Sequence, residues 1–323
     1  MKSKTIAAIA VATILSASSA SAFTINTTFD PSWSSAPAGA TADINYAAQL
    51  LGSLFTNRAA VNIDFGWGEV GGNALAGNAG GATSVQMAEA NTLQQTQYLY
   101  NQYLSANPQN SVMASVLSHL PASVTNSNPN GSSLIYLPAA QLAALLNIAS
   151  TYTDAWVGFG TGLSWNFSTT NGAGGEYDFV GAALHEITHA LGRVGYEFAG
   201  TPFLTTYDLT RYNCGATTLN STQSSPACFS YNGGVTDLAT FSPTADSADW
   251  QTTAATINSP NTAYIGTGGL FNTLAPVDVA TMESLGYTTK AASVPIMGSI
   301  ALLFVAGVAM FLTGVRLRNR GEK

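Results

Sequence analysis

The chain has 323 residues and a formal charge of −7, from 17 acidic and 10 basic side chains. Most of the basic residues sit at the two ends. Residues 23–290 hold sixteen Asp and Glu against Arg58, Arg193, Arg211 and Lys290, a net charge of −12. So acidic a body excludes nucleic acid as a partner, because phosphate binders need clustered Lys and Arg.

In chain order, Lys2 and Lys4 precede an apolar run over residues 6–15, and small residues follow, ending Ala20-Ser21-Ala22. This predicts a secretory signal peptide over residues 1–22, cut before Phe23. Its apolar core is shorter than the ~18 residues a membrane helix needs. Export in turn predicts that Cys214 and Cys228, the two cysteines of the chain, form a disulfide worth about 3 kcal/mol on the loop-entropy argument. Residues 23–290 are long enough for one substantial α+β domain, expected as two lobes divided near residue 193.

Residues 23–42 read as a polar lead-in. Ile44, Ala47, Ala48, Leu51, Leu54 and Phe55 recur at helical spacing, predicting a helix over 44–55. Residues 61–65 alternate apolar and polar and predict a strand, followed by a Gly-rich loop over 66–81 carrying Trp67 and Glu69. Helices are expected over 93–104 and 111–120, with His119 as a helix-end histidine. A turn cluster over 126–133 leads to Pro138, suited to open a helix running to about residue 149. Two strands, 154–159 and 163–167, are joined by a Gly-Thr-Gly turn.

The chemistry concentrates in His185-Glu186-Ile187-Thr188-His189. Residues i and i+4 of a helix share a face, so two imidazoles one turn apart can hold one metal ion. Glu186 beside the first can take a proton from an activated water. Val180, Leu184, Ile187 and Leu191 form an apolar stripe on a helix over 178–191, and both histidines lie roughly opposite it. Asp178 suits the N-cap and Gly192 a left-handed C-cap. Catalytic zinc usually takes three protein ligands and keeps one open position, so a third ligand is required.

After the main body, residues 291–295 read as a linker and 296–315 as twenty residues without a charge, enough to span the ~30 Å hydrocarbon core. Arg316, Arg318, Arg320 and Lys323 then place residues 316–323 in the cytoplasm by the positive-inside rule. This arrangement resembles the C-terminal sorting tails of bacterial PEP-CTERM surface proteins, although Val294-Pro295-Ile296-Met297 stands where Pro-Glu-Pro is usual. The resemblance implies a cell-surface protein, anchored unless a sorting protease removes the tail.

The motif resembles the metzincin pattern H-E-x-x-H-x-x-G-x-x-H through Gly192 and departs from it at Gly195, where the third histidine would stand. Residues 207–212, 231–236, 247–250 and 277–287 are similar to the segment order of secreted bacterial metalloproteases with such tails. More distantly, they resemble that of leishmanolysin-like metzincins, whose third ligand directly precedes a Trp. This implies a metzincin-like fold, with a twisted sheet and the motif helix in the N-terminal lobe and an irregular C-terminal lobe. It also implies Zn²⁺ held by His185, His189 and Asp249, the residue before Trp250, with Asp208 and Glu197 as alternatives. Met282 is the nearest candidate for the Met turn, and Tyr196, Tyr212, Tyr264 and Tyr287 for an oxyanion donor. The implied activity is zinc-dependent cleavage of proteins or peptides with Glu186 as general base. The competing expectation is an inactive surface or adhesion protein that kept the helix.

Overall fold

The structure is a computed structural model that describes residues 22–124, 134–170, 174–195, 204–220, 226–264 and 266–290. The expected signal peptide up to residue 21 and the membrane segment lie outside these residues, as does the whole turn cluster at 126–133. Among the described residues, no helix is long and apolar enough to cross a membrane.

The lead-in is not featureless. Strand β1 (Thr24–Phe29) forms the sheet edge, joined through helix α1 (Ala40–Leu54) to the parallel strand β2 (Ala60–Trp67). Its Thr- and Asn-rich sequence hides it, because Ile25 is its one buried side chain. In α1 the residues at helical spacing, Ile44, Ala47, Ala48 and Leu51, are buried as expected. The Gly-rich stretch then contributes a small hairpin, β3 (Glu69–Val70) and β4 (Asn73–Ala74), and strand β5 (Ala82–Val85) follows it. Strand β6 (Met87–Asn91) follows.

Helix α2 (Leu93–Ala106) starts at a capping box, in which the Thr92 hydroxyl accepts from Gln95 N and the Gln95 side chain accepts from Thr92 N. Helix α3 (Ser111–Ser118) is capped by Asn110. Pro138 does not open the next helix from within. It ends strand β7 (Ile135–Pro138) and serves as N-cap of α4 (Ala139–Leu146), which Asn147 stops in the left-handed conformation. Strand β8 (Ala155–Phe159) pairs parallel with β2 and antiparallel with β5, completing a sheet ordered β1-β2-β8-β5. The next expected strand shrinks to β9 (Trp165–Asn166). It pairs with β10 (Tyr177–Asp178), so the two segments flanking Gly160-Thr161-Gly162 do not pair with each other.

Helix α5 (Phe179–Ala190) carries the motif and packs against α1 and β5. Beyond it, β11 (Leu204–Thr205) joins β7 and β6 in a second sheet. Strands β12 (Arg211–Asn213), β13 (Ala227–Phe229) and β14 (Ala239–Thr240) form a third, next to the expected Cys214–Cys228 disulfide. After an irregular stretch comes α6 (Pro276–Ser284). The main hydrophobic core continues across residue 193: Leu51, Ile63, Val157 and Leu184 belong to the same buried cluster as Phe229, Trp250, Met282 and Tyr287. The described body is therefore an α+β fold whose later, irregular half closes over the same core as the sheet.

Candidate metal centre

Helix α5 is positioned from both faces. Val180, Leu184, Ile187 and Leu191 are fully buried, so the stripe read from the sequence seats the helix in the core. Asp178 occupies the N-cap position, but its Oδ2 accepts from Phe271 N at 2.5 Å rather than from the first turn of the helix. At the other end Gly192 adopts φ 119, a conformation that favours glycine, and a Cβ there would also press on Gln141 at 3.2 Å. That turn sends Arg193 back beneath the helix, where its backbone N–H reaches Thr188 O at 3.1 Å.

Three side chains converge on the cleft side. His185 Nε2 and His189 Nε2 lie 3.1 Å apart, and Asp249 Oδ1 lies 3.3 Å from the first and 3.1 Å from the second. The other ring nitrogens show which atoms carry protons. His185 Nδ1 faces Pro260 O at 2.8 Å, and His189 Nδ1 faces Arg193 O at 2.5 Å. A carbonyl only accepts, so both Nδ1 atoms donate, and in the neutral rings both Nε2 atoms present lone pairs. Burial pushes His185 below its ordinary pKa, which favours that neutral ring. With both rings neutral, two lone pairs and a carboxylate oxygen meet at one point. Ligand atoms ~2.0–2.2 Å from a tetrahedral zinc stand about 3.3–3.5 Å apart, close to the three separations here. The donor set therefore fits a divalent cation that accepts N and O ligands.

Asp249 is brought in by its surroundings rather than by a regular element. Trp250, fully buried, donates from Nε1 to Asp278 Oδ1 at 2.8 Å, and its backbone N–H bonds Asn261 O at 2.9 Å. Asp278 also accepts from Ser259, Asn261 and Ala275 N, and Asn261 Oδ1 accepts from the Thr188 hydroxyl on α5. This buried polar chain ties α6, the segment around Trp250 and the motif helix together. Burial alone would raise the Asp249 carboxyl, but the imidazoles when protonated and the Arg193 guanidinium at 2.7 Å hold it well below the usual carboxylate range.

Glu186 is 7% exposed at the edge of the centre. Its Oε2 accepts from the Thr83 hydroxyl of β5 at 2.7 Å, and its Oε1 lies 4.0 Å from His185 Nε2. Gly81 makes the space: a Cβ there would fall 2.5 Å from Oε1. Burial raises the Glu186 pKa above its ordinary value. The residues open onto a cleft of about 590 Å³, flanked by Thr83 on one side and by Asp246, Thr262 and Tyr264 among its other lining residues.

The other candidates go elsewhere. Asp208 is buried, accepting from Thr205 N at 2.8 Å and from the Thr205 hydroxyl at 3.0 Å, and it lines a different cavity. Glu197 and Tyr196 lie outside the described residues. Gly195 is itself buried, and a Cβ would be 3.2 Å from Ser247 Oγ, so this position has little room for a side chain. Tyr287 donates to Leu191 O inside the core, Tyr212 is buried beside the other cavity, and Tyr264 alone of the described candidate tyrosines lines the cleft. Met282 is fully buried on α6 in the main core. His119 is the C-cap of α3, its ring against Gly233. Sequence reasoning missed Gly81, Thr83 and the role of Arg193. The scarcity of cations in the body was the one signal that could have pointed to the last.

No family model, curated protein or solved structure matches the chain.

Proposed function

We propose that the chain is a zinc-dependent endopeptidase that acts on protein or peptide substrates. The observation that carries this reading is the meeting of three metal-ligand atoms, His185 Nε2, His189 Nε2 and Asp249 Oδ1, beside a buried carboxylate in an open cleft. These three atoms would hold the ion. When bound there, zinc supplies Lewis-acid polarisation of a carbonyl and a water made acidic near neutral pH. Glu186 takes the water proton on its free side while Thr83 fixes the other carboxylate oxygen, and then delivers that proton to the leaving amine. Strand β5 is the last strand of its sheet and pairs on one side with β8. An extended substrate laid along its other edge would satisfy backbone groups and run past Glu186. Tyr264, which lines the cleft, would be the donor for the developing oxyanion.

Glu186 also separates this reading from the alternative of an inactive surface or adhesion protein, since a purely structural ion needs ligands but no general base. The sequence of both ends supports an exported, surface-anchored enzyme whose tail could be a substrate for a sorting protease. The full chain should bind about one zinc and cleave a denatured protein, with activity lost to a chelator. Glu186→Gln should keep the zinc and lose roughly 10³-fold in kcat. Turnover unchanged in that variant would end the enzyme reading.

A further inference from the structure

We infer that Arg193 and Asp249 act as one unit, a charge-neutral third ligand in which the guanidinium cancels the charge that an aspartate brings in place of an imidazole. The inference rests on the zinc reading above. Arg193 is 0% exposed, and a guanidinium so placed is expensive to bury unless it is paired and fully hydrogen-bonded. Its Nη1 donates to Asp249 Oδ1 at 2.7 Å, the same oxygen that faces the two imidazoles, and to Ala248 O at 2.9 Å. Its Nε donates to Thr188 Oγ1 at 3.0 Å, and Nη2 to His185 O at 3.3 Å. One planar fork therefore spans both sources of ligands, the motif helix and the segment carrying Asp249.

The charges follow from these contacts. Three imidazoles form a neutral ligand set, whereas two imidazoles and a carboxylate carry one negative charge, which makes the ion a weaker acid. A cation bonded directly to the ligating oxygen restores the neutral total and withdraws density from that oxygen. Arg193 is thereby a positioning residue that also acts electrostatically, fixing where Asp249 stands and how strongly it donates. The two residues are separated by 56 positions in the chain, so only the fold joins them.

A double-variant cycle read by zinc affinity separates this from a structural post. The full chain is stripped of metal and titrated with zinc against a chromophoric chelator, with circular dichroism monitoring the fold. Asp249→His alone leaves the buried guanidinium facing a neutral ligand set and should weaken zinc binding about 100-fold, as expected for an uncompensated buried charge. Adding Arg193→Gln should then recover at least about 10-fold. The pair Asp249→Asn and Asp249→Asn/Arg193→Gln provides the same comparison with a smaller change of shape. Recovery in either pair supports the neutral unit. A double variant that folds but binds no better than its single parent overturns it, as does failure of both double variants to fold, since Arg193 would then be a structural post. If the unaltered chain binds no zinc, the zinc reading itself falls, whatever the variants do.

Discussion

Helix α5 and the irregular segment between β14 and α6 bring three side chains that could hold a metal ion to one point by different physical means. The helix does so by periodicity: a repeat of about 3.6 residues puts His185 and His189 on one face, and four buried aliphatic residues anchor the opposite face. The segment has no repeat. Asp249 is held by its neighbour Trp250, by the carboxylate of Asp278, and by Arg193 reaching from under the helix. Where geometry comes from a regular element, single substitutions behind the site should be tolerated. Where it comes from a polar network, each lost bond should be felt at the metal.

That contrast can be broken or sharpened by measurement. The largest effect is expected on the irregular side. Asp249→Ala should weaken zinc binding about 100-fold or more, because it removes a ligand and strands Arg193 without its charge partner. Asp208→Ala, in the other cavity, should change zinc affinity by less than about threefold. The reverse order would reassign the third ligand. Next in size is Gly81→Val, whose side chain would enter the space of the Glu186 carboxylate. Zinc affinity should hold while kcat falls roughly 10–100-fold, and an equal loss in both would show that β5 supports the ligands too.

Trp250→Phe keeps the buried ring but removes the 2.8 Å bond to Asp278. A lost hydrogen bond worth about 1 kcal/mol should appear as roughly a fivefold loss of zinc affinity. No change there would show that packing alone holds the segment.

The smallest expected effect lies behind the N-terminal end of α5. Burial, with the charge of Asp178 nearby, pushes the Asp43 carboxyl of α1 up to about 6, and its Oδ2 is buried without a hydrogen-bond partner. A carboxyl with a raised folded pKa favours folding while it stays protonated, so stability should fall as pH rises from about 4 to 6 and remain lower above that. Asp43→Asn removes this loss. It should raise Tm by roughly 2–4 °C at about pH 7.5 and leave it nearly unchanged near pH 4. A gain that is the same at both pH values would exclude the titration of Asp43 as its cause.

Strong local patterns were legible in advance. The seating of α1, the start of the motif helix at Asp178 and the turn at Gly192 follow from spacing and residue type, and the disulfide from there being two cysteines in a segment read as exported. Short polar strands were not legible. Residues 24–29 and 82–85 form strands because neighbours complete their hydrogen bonds, and their own sequences carry little apolar alternation. Tyr264, the one described candidate tyrosine that lines the cleft, could not be chosen from four candidates for the same reason, since its position depends on a loop with no period.

By itself, then, the sequence determined that one helix presents two imidazoles on a face opposite a buried stripe, with a carboxylate to the side of that face, because helical periodicity is a local property. It also marked Asp249 as a third ligand only through resemblance, by the Trp that follows it. The tertiary structure alone decided that Asp249 stands within 3.3 Å of both rings, that Thr83 and Gly81 shape the Glu186 site, and that a fully buried arginine sits on the Asp249 oxygen that faces both rings. Arg193 and Asp249 are 56 positions apart in the chain, and Thr83 and Glu186 are 103 apart. No spacing rule reaches that far, because such contacts exist only once the core has closed.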